Sequence, residues 1–83
     1  MLTIIDGTFS WALECLRTKL LNKLRRKGWP KGVYIKATFL DLEEKIVSYI
    51  YFVYPDGSQE LYEPSQRDLL GKDWEEYYDT ENN

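Results

Sequence analysis

From Ile46 to Tyr54 the chain reads Ile-Val-Ser-Tyr-Ile-Tyr-Phe-Val-Tyr, uncharged and almost entirely β-branched or aromatic. That is the composition of a pleated, buried strand. Alternation divides it into two faces, with Ile46, Ser48, Ile50, Phe52 and Tyr54 on one and Val47, Tyr49, Tyr51 and Val53 on the other. Neither face is polar, so both call for cover. A chain this short offers one good helix, and one helix covers one face. The other face then requires a second subunit, a ligand, or both.

The remaining elements follow from the same spacing rules. Met1 to Ile5 is apolar and predicts a short edge strand, broken by Asp6-Gly7. Thr8 is the expected N-cap of a helix whose stripe is Phe9, Ala12, Leu13, Leu16 and Leu20. Trp11 and Cys15 flank that stripe and widen it, which implies a helix touching more than its own sheet. Asn22 is a suitable left-handed terminator. Lys23 to Lys27 predicts a basic strand, and Gly28 to Gly32 a loop in which Pro30 holds Trp29 extended. Val33, Ile35, Ala37 and Phe39 point inward while Tyr34, Lys36 and Thr38 point outward; Leu40 to Lys45 turns the corner.

Beyond the central strand, Pro55-Asp56-Gly57-Ser58 is a hairpin turn and Gln59 to Tyr62 a returning strand. Ser65 and Asp68 have the spacing of a capping box that opens a short helix ended by Gly71. Leu69, Leu70 and Trp74 would pin that helix to the sheet. Asp73 to Tyr78 is extended or a last edge strand, and Thr80 to Asn83 a frayed tail. With no repeat and no linker, residues 1–83 form a single α+β domain. Its main N-terminal helix packs on an antiparallel sheet of four to five strands, with a short second helix near the C-terminus.

Composition sharpens this picture. Three Trp and seven Tyr are many for 83 residues; such rings either fill a small core or line interfaces and ligand pockets. The net charge of −3 gives no reason to expect DNA or RNA binding. Arg17 to Lys36 nevertheless contains no acid, while acids gather at Asp41 to Glu44 and Asp73 to Glu81. One basic segment in an acidic chain suits a small anionic ligand better than a long polyanion. The absence of His and the single Cys remove imidazole bases, Cys–His pairs and His/Cys metal clusters. No cofactor is implied. The lone Cys fits a reducing compartment, and no stretch has the length of a membrane span or the layout of a signal peptide. The expected place is the cytoplasm.

Two segments could carry chemistry. In Arg25-Arg26-Lys27-Gly28-Trp29-Pro30-Lys31-Gly32, guanidinium groups beside an indole could take the phosphate and base of a nucleotide, or simply solvate a strand edge. In the segment from Glu63 to Trp74, the Ser65 cap exposes backbone N–H groups suited to an anion, or Asp68 could instead accept from a ribose hydroxyl or base amine. Alternatively, Ser65 and Asp68 only cap the helix. Asp68 and Asp73 also leave open a small carboxylate-based hydrolase.

Together the segments resemble one family. Phe9-x-x-Ala12-Leu13, then Arg26-Lys27-Gly28-Trp29, then Pro64-Ser65-x-x-Asp68-Leu69-Leu70-x-x-Asp73-Trp74 is similar to the phage Thoeris anti-defence two proteins, from Phe9 to about Tyr77. The resemblance implies a non-enzymatic sponge, assembled as a homotetramer (a dimer of dimers). Such a sponge binds cyclic ADP-ribose isomers with a glycosidic link between riboses, made by TIR-domain proteins, and in some members cyclic dinucleotides. By motif match it implies Arg26, Trp29, Ser65, Asp68 and Trp74 as pocket or pocket-supporting residues, with Arg25, Lys31 and Tyr62 as further candidates. It also implies the cytoplasm of an infected bacterium. Two positions depart from the family pattern: Leu21-Asn22 replaces a helix-ending glycine, and Tyr62 stands where a Trp is common. A protein–protein interaction module, blocking a host protein with its aromatic face, is the alternative.

Overall fold

The computed structural model describes residues 6–43 and 45–78. The expected strand at Met1–Ile5 and tail at Thr80–Asn83 lie outside them. The described residues form α1 (Phe9–Arg17), β1 (Lys23–Arg26), β2 (Tyr34–Leu42), β3 (Lys45–Val53), β4 (Gln59–Leu61), α2 (Gln66–Leu70) and β5 (Trp74–Glu76). The strands make one antiparallel sheet in the order β4-β3-β2-β1-β5. This is the α+β architecture expected from the sequence.

Helix α1 begins where its cap predicts. The Thr8 hydroxyl accepts the Trp11 N–H at 3.1 Å and itself donates to Asp6 at 2.8 Å. The helix stops earlier than the apolar spacing suggests. Thr18 caps it through its hydroxyl on the Glu14 carbonyl, and Lys19, not Asn22, takes the left-handed conformation at φ 63°. Leu20 therefore leaves the stripe and is exposed. Trp11 and Cys15 do not widen an outward face either. Both are buried with Ala12, Leu16, Leu24, Ile35 and Trp74 in the chain's own core.

The hairpin of β2 and β3 is longer and tighter than the acids at its corner suggest. Its register runs from Tyr34↔Val53 to Leu42↔Lys45, and Glu43 turns with φ 55°. Paired residues share a face. Ile35, Ala37, Ile50 and Phe52 thus lie with Leu24 and Trp74 on the helix side. Tyr34, Lys36, Tyr49, Tyr51, Lys23 and Arg25 lie on the far side. The alternation read from the sequence is the observed one.

Near Asp56-Gly57, Gly57 is left-handed at φ 90°, as the hairpin turn requires. The capping box of α2 is complete: the Ser65 hydroxyl accepts the Asp68 N–H at 3.1 Å, and the Asp68 carboxylate accepts the Ser65 N–H at 3.3 Å. Leu69 and Leu70, however, are exposed. Of the five residues of this helix, Asp68 is the one that is buried.

Candidate functional site

The turn after β1 carries Trp29, and Arg25 holds it in shape. The Arg25 guanidinium donates to three carbonyls of that turn: Arg26 at 3.0 Å, Lys27 at 2.9 Å and Trp29 at 2.6 Å. Arg25 also lies 3.6 Å from a Glu75 carboxylate oxygen. The indole of Trp29 is folded back over the sheet, not splayed outward. It meets Phe52, Trp74 and Tyr62 edge-on, with centroids at 5.1, 5.3 and 6.3 Å. Tyr62 in turn stacks on Phe52 with 10° between the planes.

These rings form one side of a cleft of about 610 Å³ lined by Trp29, Phe52, Tyr54, Glu60, Leu61, Tyr62, Glu63, Ser65 and Asp68. That is the size range of small-molecule sites, with aromatic walls and a few placed polar groups. Its rim is anionic. Glu60 and Glu63 contribute exposed carboxylates, and Glu60 already accepts the Tyr54 hydroxyl at 2.5 Å.

Asp68 is the hub in the wall of the cleft. Nearly buried, it accepts the Tyr62 hydroxyl at 2.6 Å, Arg26 Nη1 at 3.3 Å and the Ser65 N–H, while its carbonyl accepts Trp74 Nε1 at 3.0 Å. Burial, reinforced by the hydrogen bond to Asp68, pushes the Tyr62 hydroxyl far above the ordinary tyrosine range. Arg26 is shared with a second acid, since its Nε donates to Asp73 at 2.8 Å. That bond holds the Asp73 carboxyl below its usual range and raises Arg26.

The five residues of the motif therefore come together in two layers. Trp29, Ser65 and Asp68 line the cleft. Arg26 and Trp74 stand behind it, Arg26 between two carboxylates and Trp74 fully buried between Phe9 and Trp29. Of the further candidates, Tyr62 joins the cleft. Arg25 and Lys31 line a neighbouring one of about 450 Å³ with Tyr34, Tyr54, Tyr77 and Tyr78. There Tyr34 and Tyr77 stack at 4.6 Å.

Phe52, Glu60 and Glu63 were not singled out from the sequence. Phe52 was recoverable, because alternation sets it on the same face as Ile50 and pairing then sets it beneath Tyr62. The two glutamates give no local signal, since their place at the rim depends on how β4 leads into α2. Among the described residues no cluster of His, Cys, Asp and Glu has the arrangement of a metal site. Nor is any helix among them long and apolar enough to cross a membrane.

Residues 7–77 match the Thoeris anti-defense 2-like domain family. No curated protein matches the chain.

Proposed function

Because the chain belongs to the Thoeris anti-defense 2-like family, we propose that it exercises this anti-defence role by binding a cyclic nucleotide immune signal in the host cytoplasm and withholding it intact. The ligand class is a glycocyclic ADP-ribose isomer, with cyclic dinucleotides as further ligands. The observation that carries this reading is the aromatic cleft with its carboxylate rim. A base lies against the Trp29, Phe52 and Tyr62 rings, for which stacking is sequence-tolerant and substantial. Ribose hydroxyls and base amines donate to Glu60, Glu63 and Asp68. The rim repels phosphate, so the diphosphate faces the mouth of the cleft, and a homotetramer encloses what one chain leaves open. Arg26 acts by holding Asp68 in place, and Trp74 by backing Trp29.

Incubation with cyclic ADP-ribose isomers, followed by ultrafiltration and then heating, tests the reading. Depletion of free ligand and its recovery intact on denaturation is the expected result; a degraded product marks an enzyme instead. A second reading draws on the far side of the sheet, where Tyr49, Leu40 and Leu61 are exposed: an interaction module that blocks a host protein. Absence of ligand depletion favours it.

A further inference from the structure

The edges of the sheet are unequal. β4 carries Glu60 and β5 carries Glu75 and Glu76, charges of the kind that protect an edge from pairing. The outer edge of β2 beyond β1 carries Asp41, and there the Lys19 ammonium lies 4.8 Å from the Phe39 ring centroid. The outer edge of β3 carries one such charge, Lys45 at its first residue, and none from Ile46 to Ile50. β4 pairs with β3 only over Tyr51 to Val53, and its ladder ends with the Tyr62 N–H on the Ile50 carbonyl at 2.8 Å. No strand among the described residues pairs with that edge from Lys45 to Ser48. The Ile50 bond fixes which backbone groups point outward. Both groups of a strand residue point the same way and alternate along it, so those of Ile46 and Ser48 face the open side. The stretch from Ile46 to Ile50 has no charge, proline or glycine. Ile46 is 74 % exposed.

We infer that this edge pairs antiparallel with the same edge of a second copy, about a two-fold axis at Val47. Antiparallel self-pairing is isologous by construction, so one uncharged edge is complementary to itself. Of the possible registers, the one centred on Val47 uses the free groups. Ile46 then lies opposite Ser48 of the second copy and exchanges both backbone bonds with it. A register one step toward Ile50 would require the carbonyl that Tyr62 already occupies. Centring on Val47 also sets Lys45 opposite the second copy's Tyr49 on the far side of the sheet, where an ammonium over a ring is favourable. The two five-stranded sheets become one. This deepens the proposed tetramer by naming the strand that builds its dimer, and it does not depend on the ligand.

At the axis Val47 faces its own copy as a non-hydrogen-bonded pair, with Cα atoms about 4.5 Å apart. That separation lies within the range a disulfide spans, about 4.4–6.8 Å. Val47→Cys should therefore cross-link into a covalent dimer on mild oxidation, whereas the parent, whose lone Cys15 is buried, should not. Ile46→Lys, at an exposed position, should halve the mass seen by light scattering with the fold unchanged by circular dichroism. A parent that is monomeric at micromolar concentration overturns this inference and the tetramer together. A parent that is oligomeric, with Val47→Cys uncross-linked and Ile46→Lys unchanged in mass, overturns the β3 interface alone.

Discussion

Gly71 lies directly against the guanidinium of Arg26: a Cβ at position 71 would come within 2.6 Å of Nη2 and 2.7 Å of Cζ. Its φ of −68° is open to any residue, so the glycine serves clearance, not backbone freedom. Gly71→Ala should push Arg26 off Asp68 and Asp73 and cost about 1–3 kcal/mol, the usual range for overpacking. Urea unfolding measures it. An unchanged midpoint would mean that Arg26 has room to move.

Arg26→Lys keeps a charge but cannot reach both carboxylates in the same fork geometry. The expected loss is about 1–2 kcal/mol, at the low end for charged hydrogen bonds because Asp73 is partly exposed. The pH profile carries a second signature. Asp73 has its folded pKa depressed by Arg26, so its contribution is present above the unfolded value of about 3.9 and is lost as pH falls through the folded value. The acid limb of the stability curve should therefore flatten in Arg26→Lys, as seen in melts between pH 2 and 6.

Trp29 and Trp74 should fail differently. Trp74 is 2 % exposed and hydrogen-bonded to Asp68, so Trp74→Ala should cost about 3–5 kcal/mol and give little folded protein. Trp29 is half-buried and packed edge-on by three rings, so Trp29→Ala should melt lower yet remain folded. Its affinity for a cyclic ADP-ribose isomer should fall by about 1–3 kcal/mol, the value of one stacking contact. Calorimetry on both variants reads this; undiminished affinity in a folded Trp29→Ala would remove Trp29 from the site.

Tyr62→Phe preserves the stack on Phe52 and deletes the shortest donor to Asp68. A cost of about 1–2 kcal/mol is expected, since a nearly buried carboxylate loses a partner. The raised folded pKa of Tyr62 gives stability that is full below the unfolded value of about 10 and declines as pH rises above it. Spectrophotometric titration of the parent should show a tyrosine that ionises only on alkaline unfolding. Tyr62→Phe should lose that late-titrating group.

Much of this was legible in the chain. The alternation in Val33–Phe39 and Ile46–Tyr54 placed side chains on the correct faces, and Ser65 with Asp68 announced the second helix, because caps and pleats are local. What depends on distant partners was not legible. Leu20 looked like part of the helix stripe until Lys19 turned the chain. Leu69 and Leu70 looked like anchors although Asp68 is the buried residue of that helix. Arg26 offered a free cation in the sequence, but Asp68 and Asp73, more than forty residues away, engage it.

The position of β5 has a kinetic consequence. The β2–β3 hairpin closes on neighbours in the chain, whereas β5 must join β1 across a long separation, Arg26 opposite Trp74. Contacts of long sequence separation pay loop-closure entropy and tend to form late. Trp74 backs Trp29, and Asp73 steadies the arginine that holds Asp68. On the ribosome, then, the growing chain has its hairpin well before its cleft, whose backing is complete only when the β5 segment has been synthesised and docked.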